Sequence, residues 1–111
     1  MSAREKLPAR RYSESFDVEF PPSTGKLYAV TIGCYPDGRI GEVFLSSYQK
    51  VGSQADMAAR DLALLISIAL QHGAPLEVMA SAATKDAESR QEGLAGVVLE
   101  QLLAWRPEVP A

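Results

Sequence analysis

The sequence has few of the residues from which metal and nucleophilic sites are built: its 111 residues include one cysteine and one histidine. A single cysteine, Cys34, excludes an internal disulfide framework and any zinc site made from several cysteines. HxxE, CxxC, GxSxG and Walker-type patterns are also absent. We therefore expect a protein that is not an enzyme and that holds no metal and no cofactor.

Long apolar runs and a strong excess of charge are missing too. The most apolar run, residues 62–70, is too short to cross a bilayer, and the N-terminus lacks the apolar region of a signal peptide. We therefore expect a soluble, cytoplasmic protein. The formal net charge of −3 argues against a nucleic-acid-coating protein. Four basic residues and one acid in residues 1–11 form a basic arm suited to an acidic patch on a sister subunit or partner.

The composition is that of one small globular domain, because 47% of the residues are apolar and 23% are charged. We divide the chain into a basic N-terminal arm at residues 1–12, a single domain at 13–105 and a tail at 106–111. A domain of this size buries a modest fraction of its surface, so self-association would help to stabilise it.

Three strand patterns fill the first half of the chain, at residues 15–20, 26–35 and 39–46. The first alternates apolar and acidic residues, which is typical of a half-buried strand. Turn signals at residues 21–25 and 35–38 separate them, so the strands form an antiparallel meander. The third pattern is apolar on both faces apart from Glu42, which favours a central strand or one pressed between helices and a second subunit.

Three helix patterns follow, at residues 54–72, 75–83 and 92–105. Ser53 is the expected N-cap of the first helix, Asp56 lies in its first turn, and Gly73 is the expected residue after its end. Asp56 and Arg60 are four residues apart and suited to a surface pair. Strands followed by helices predict an α+β fold, with a three-stranded antiparallel meander and then three helices, the first long and buried.

The first helix also predicts self-association. Its second half, residues 62–70, has almost no polar side, and a helix that is apolar all round must be covered on more than one face. Three strands and three helices give limited cover for Val43, Phe44, Leu64 and Ile68 together. We therefore expect a homo-oligomer, a dimer or a larger closed assembly.

The best candidate for a binding site is the start of the long helix. Gly52 and Ser53 would expose backbone N–H groups there, the helix dipole favours an anion, and Lys50 and Arg60 would add positive charge. These four residues predict a site for a phosphate or a nucleotide. The simpler alternative is that Gly52 makes a turn, Ser53 caps the helix and Lys50 is solvated, an arrangement that is common at helix starts.

Neither reactive side chain of the sequence has an obvious catalytic partner. His72 lies in the last turn of the long helix, where an imidazolium suits the carbonyl end of the dipole. We favour this capping role over a small hydrolase acting through His72, because a triad or metal site needs further groups. Cys34 lies in a β-rich stretch and is interpreted as a small strand residue.

The central part of the chain resembles the TSCPD domain, found at the C-terminal end of adenosylcobalamin-dependent ribonucleotide reductases and as small stand-alone proteins. The resemblance rests on an EVFL strand at residues 42–45, a KxGS turn at 50–53 and an ISxAL helix with a GxPLE junction within 65–77. The Ser-Cys-Pro-Asp segment that names the family is missing around residues 89–93, and there is no C-terminal cysteine pair.

The resemblance implies a non-catalytic accessory or regulatory domain of nucleotide metabolism, since neither the reductase barrel nor its relay cysteines are present in this sequence. The stand-alone forms, including those of prophages, are similar in their basic arm and their PDGR turn, here at residues 36–39. They suggest an alternative: a self-associating protein that binds a host protein or sequesters a small phosphorylated or nucleotide ligand. No membrane partner is implied.

Overall fold

The computed structural model describes residues 3–49 and 52–106 and shows an α+β fold. Its elements, in chain order, are β1 Tyr12–Glu19, β2 Leu27–Cys34, β3 Ile40–Ser47, α1 Gln54–Gln71, α2 Leu76–Ala82 and α3 Leu94–Ala104. The meander followed by three helices is therefore confirmed. None of the helices in this part of the chain has the length and apolar character needed to span a membrane.

The three strands form one antiparallel sheet in the order β1-β2-β3, so β2 is central and β3 lies at an edge. The interpretation of residues 39–46 as a central strand was therefore wrong. β1 begins three residues before its predicted start, because Tyr12, Ser13 and Glu14 continue the pairing with β2. The predicted turn before β3 is present, and Gly38 supplies the positive φ of 92° that it needs.

The core lies between one face of the sheet and the helices. Val30, Ile32 and Val43 on the sheet are fully buried, and they pack with small residues of α1 and with apolar residues of α3. Val43 is covered within a single chain, so it drops out of the group that was expected to need a second subunit. Burial of these side chains removes apolar area from water, which is the main term that stabilises the fold.

The free edge of β3 is covered by α1, which supplies side-chain hydrogen bonds to the strand's backbone. The Ser47 N–H donates to Asp56 Oδ1 (3.0 Å), the Val43 N–H donates to Ser67 Oγ (2.8 Å), and Gln71 Nε2 donates to the Gly41 carbonyl (2.9 Å). All three α1 side chains are buried. We call Asp56, Ser67 and Gln71 the edge ladder. It pairs backbone groups that would otherwise be buried without partners.

The N-terminal arm contacts the chain's own body over the residues described. The Glu5 N–H donates to the Gln71 carbonyl (2.8 Å), and the Tyr35 hydroxyl donates to the Glu5 carbonyl (2.6 Å). Arg11 pairs with Glu42 at 2.6 Å. The arm thus brings two of its basic residues, Arg4 and Arg11, against the end of α1 and against β3.

The edge ladder generates a stability prediction for Ser67→Ala. The substitution leaves the buried Val43 N–H without its acceptor, so the free energy of unfolding should fall by about 1–3 kcal/mol. Urea unfolding followed by circular dichroism measures it. Ser15→Ala is the matched control, because Ser15 also bonds a neighbouring strand, through Thr31, but at an exposed position. It should change stability by less than about 0.5 kcal/mol. Equal losses in the two variants would contradict the role of the ladder.

Candidate functional site

The start of α1 has the geometry of a capped helix. The Ser53 hydroxyl oxygen accepts the Asp56 N–H at 3.2 Å, and Gly52 adopts a φ of 80° that favours glycine. The structure therefore has the simpler of the two predicted arrangements, in which Gly52 makes the turn and Ser53 caps the helix. Lys50, the third residue of the predicted anion site, lies outside the described residues.

Asp56 occupies the position that an external anion would take at this helix end. Its Oδ1 accepts the Ser47 N–H, and its Oδ2 accepts from Arg60 Nε at 2.9 Å and from the Gly52 N–H at 3.4 Å. Two of the predicted site residues, Gly52 and Arg60, thus donate to one internal carboxylate, while Ser53 accepts from the backbone N–H of the same residue. Asp56 is only 1% exposed, so its pair with Arg60 is not the surface pair expected from the sequence.

The same contacts set the charge state of Asp56. The Arg60 hydrogen bond and then the Ser47 N–H hold the pKa of this carboxyl below its usual range, against the opposing effect of burial. The carboxylate is therefore ionised at neutral pH. An ionised internal carboxylate leaves little room for a second anion on the Gly52 and Ser53 backbone.

Arg60 also borders a separate feature, a crevice of about 400 Å³ between α1 and β3. Arg4 lies at one end, where its Nε donates to Gln71 Oε1 at 2.5 Å. Arg60 lies towards the other end, and Phe44 and Leu64 line the wall between them. We call this the α1–β3 crevice. Its volume is within the range of small-molecule pockets.

Sequence reasoning found Arg60 and missed Arg4 and Phe44 as members of this crevice. Arg4 reaches it because the arm folds back onto α1, a contact between residues 67 apart in the chain. No local pattern carries that information. In the sequence, Phe44 is an apolar residue on the second face of its strand. Such a residue predicts that this face is covered, but it does not predict a ligand.

The two reactive side chains are placed as the sequence predicted. Cys34 is a buried residue of β2, and burial raises the pKa of its thiol, so the reactive thiolate is disfavoured. His72 is the C-cap of α1, and its backbone N–H bonds to the carbonyls of the last turn. Across residues 3–49 and 52–106, no three His, Cys, Asp or Glu side chains form a group that could hold a metal.

The sequence of this chain matches the model of one known domain family. The family model of the TSCPD domain covers residues 6–101, which include all three strands and most of α3. The chain belongs to the TSCPD domain family. The matched span contains the crevice residues Phe44, Arg60 and Leu64, whereas Arg4 lies just before it.

The curated relatives of this TSCPD domain are much longer proteins. The vitamin B12-dependent ribonucleotide reductase of Rhodopirellula baltica is 38% identical over 76 residues, which are 68% of this chain and 7% of the relative. The enzyme of the same name from Agrobacterium fabrum is 38% identical over 81 residues, 73% of this chain and 6% of the relative. The chain thus spans less than a tenth of either relative. No solved structure matches it.

The Asp56 contacts predict a dependence of stability on pH. A carboxyl whose pKa is lowered by folding contributes stability above its unfolded pKa of about 3.9, and this contribution is lost as the pH falls through the folded pKa. Asp56→Asn should therefore be less stable than the wild type at pH 7, and the difference should shrink below about pH 3.9. Urea midpoints of both proteins between pH 2.5 and 7 measure it. A difference that is constant over this range would contradict the assignment.

Proposed function

We propose that this TSCPD domain is a non-catalytic, regulatory binding domain of nucleotide metabolism, and that its ligand lies in the α1–β3 crevice. The observation that carries the proposal is the pair of guanidinium groups, Arg4 and Arg60, that line one crevice. The acidic side chain in the lining, Glu42, is already paired with Arg11. Guanidinium groups bind phosphate in a bidentate manner, and an exposed aromatic ring such as Phe44 offers a surface on which a base stacks. A nucleotide or another small phosphorylated molecule has both features.

Arg60 retains donors for such a ligand. Within residues 3–49 and 52–106, the hydrogen bond of Arg60 is made by Nε, to Asp56, and about half of the side chain is exposed. The bond to Asp56 restrains the guanidinium at the border of the crevice. A positioned charge costs less conformational entropy on binding than a freely moving one.

The proposal that the domain has no catalytic role is supported by the state of its one thiol. Cys34 is buried, and its raised pKa disfavours the thiolate that nucleophilic or redox chemistry requires. The reductases named above share less than a tenth of their length with this chain. Their activity is accordingly not proposed for it.

A second candidate function is a prophage-type protein that self-associates and binds a host protein or sequesters the phosphorylated ligand. The observation that favours it is the exposure of large apolar side chains on α1, at Leu64 and Leu65. Exposed patches of this kind mark interaction surfaces. Both candidate functions include a phosphorylated ligand in the crevice. They differ in that the second also requires another protein, or a second copy of the chain, to contact α1.

The ligand proposal is tested by thermal shift with a panel of ribonucleoside and deoxyribonucleoside mono-, di- and triphosphates. A ligand at 100 times its Kd stabilises the folded state by about 2.7 kcal/mol, which gives a readily measured rise in Tm. Arg60→Gln should weaken the binding of the stabilising nucleotide at least tenfold by isothermal titration calorimetry. Each variant is compared with its own ligand-free Tm.

Arg90→Gln is the matched control. Arg90 also pairs with an aspartate four residues away, Asp86, but in an exposed loop remote in sequence from the crevice. Binding should be unchanged in this variant. The proposal fails if no nucleotide raises the Tm of the wild type, or if Arg60→Gln binds as tightly as Arg90→Gln.

A further inference from the structure

Helix α1 carries a second apolar stripe on the side that the core does not use. Met57, Leu64, Leu65 and Ile68 are 53%, 57%, 64% and 38% exposed. Phe44 of β3, which lines the same crevice as Leu64, is 56% exposed. We call these five residues the outer stripe. Large apolar side chains are normally buried, and a contiguous exposed group of them indicates an interaction surface.

The positions of the outer stripe on α1 follow the spacing of a helix–helix seam. Met57, Leu64 and Ile68 form a series with residue 61 in which the separations are four, three and four positions, the alternation of a coiled-coil interface, and Leu65 flanks this series. Asp61 is the one charged member of this series. The series therefore has the pattern of a surface that packs against another helix. Its one charged position favours some relative orientations of the two helices over others.

We propose that the outer stripe is the interface between two copies of this chain, with their α1 helices packed antiparallel about a two-fold axis near Leu64 and Leu65. A two-fold interface uses the same patch on both subunits, so an apolar stripe of this kind is complementary to itself. The proposal does not depend on a ligand in the crevice, but the two share a border, because Phe44 and Leu64 line the crevice and also belong to the outer stripe. A bound ligand would therefore share the contacts of these two side chains with the second copy.

The area of the outer stripe is large enough for an interface with a second copy of the chain. Side chains of this size expose on the order of 200 Å² each when free, so five of them near half exposure offer roughly 500 Å² per chain. Two copies would bury about 1,000 Å² from these residues alone, which reaches the lower bound for a specific interface. Contacts of the surrounding residues add to this area.

Asp61 determines whether the two α1 helices pack parallel or antiparallel. A parallel pair would place the two Asp61 carboxylates opposite each other in an apolar seam, where like charges are strongly unfavourable. An antiparallel pair centred near Leu64 and Leu65 places Asp61 opposite Ile68 of the second copy. The two Asp61 residues then lie about seven residues apart along the helix axis, or ~10 Å.

Sedimentation velocity and light scattering over a concentration series test the interface. The wild type should be a dimer, or a larger assembly built from dimers, and Leu65→Glu should raise the dissociation constant at least a hundredfold. Leu65 does not line the crevice, so nucleotide binding to this variant separates a failed interface from a failed ligand proposal. Val78→Glu is the control, because Val78 is similarly exposed but lies on α2.

Circular dichroism and Tm of each monomer verify folding, which the exposure of both positions should preserve. A wild type that stays monomeric at high concentration overturns the proposal. An assembly that Leu65→Glu leaves intact, or that Val78→Glu disrupts equally, also overturns it.

The orientation is tested by engineered cysteines under oxidising conditions. Ile68→Cys retains Asp61 and should not cross-link an antiparallel dimer, because the two Ile68 positions lie about seven residues, or ~10 Å, apart along the axis, beyond the reach of a disulfide. Leu64→Cys should cross-link, since the two-fold axis passes close to this position. Cross-linking by Ile68→Cys would show a parallel pair and overturn the antiparallel arrangement. Failure of Leu64→Cys to cross-link would overturn the interface itself.

Discussion

The structure depends on how α1 covers the free edge of β3. A helix cannot continue a β-ladder with its own backbone, because its N–H and carbonyl groups are bonded within the helix. Asp56, Ser67 and Gln71 supply the missing partners from one side of α1, at points along β3 from Ser47 to Gly41. These contacts fix both the position of the helix along the strand and its rotation about its axis. The apolar core then fills the space on one side of this contact.

The rotation of α1 has consequences on both of its other sides. Ala59, Ala63 and Ile66 face the core, whereas Leu64 and Leu65 are turned away from it. The same constraint places Asp56 at the helix entrance, where it engages Gly52 and Arg60 from within. A conventional anion site at the helix start is thereby filled by the chain itself. The feature of the TSCPD domain with space for a ligand is the crevice beside the ladder, between two arginines.

Local patterns in the sequence predicted the elements well, because each depends on neighbours in the chain. The alternation in β1, the turn ending at Gly38 and the Ser53 cap all involve residues within a few positions of one another. The position of β3 at an edge was not predictable in this way. A strand that is apolar on both faces indicates cover on both sides, but it does not say whether a strand or a helix provides the lateral partner.

By itself, the sequence determined the order of strands and helices, the turns and caps that bound them, and the lack of a multi-cysteine site. Only the tertiary structure decided which apolar residues of α1 lie inside, that Asp56 is buried, and that Arg4 joins Arg60 at one crevice. The physical reason is the separation along the chain. Ser67 meets Val43 across 24 residues and Arg4 meets Gln71 across 67, and hydrogen bonds between such distant residues leave no periodic trace in the sequence.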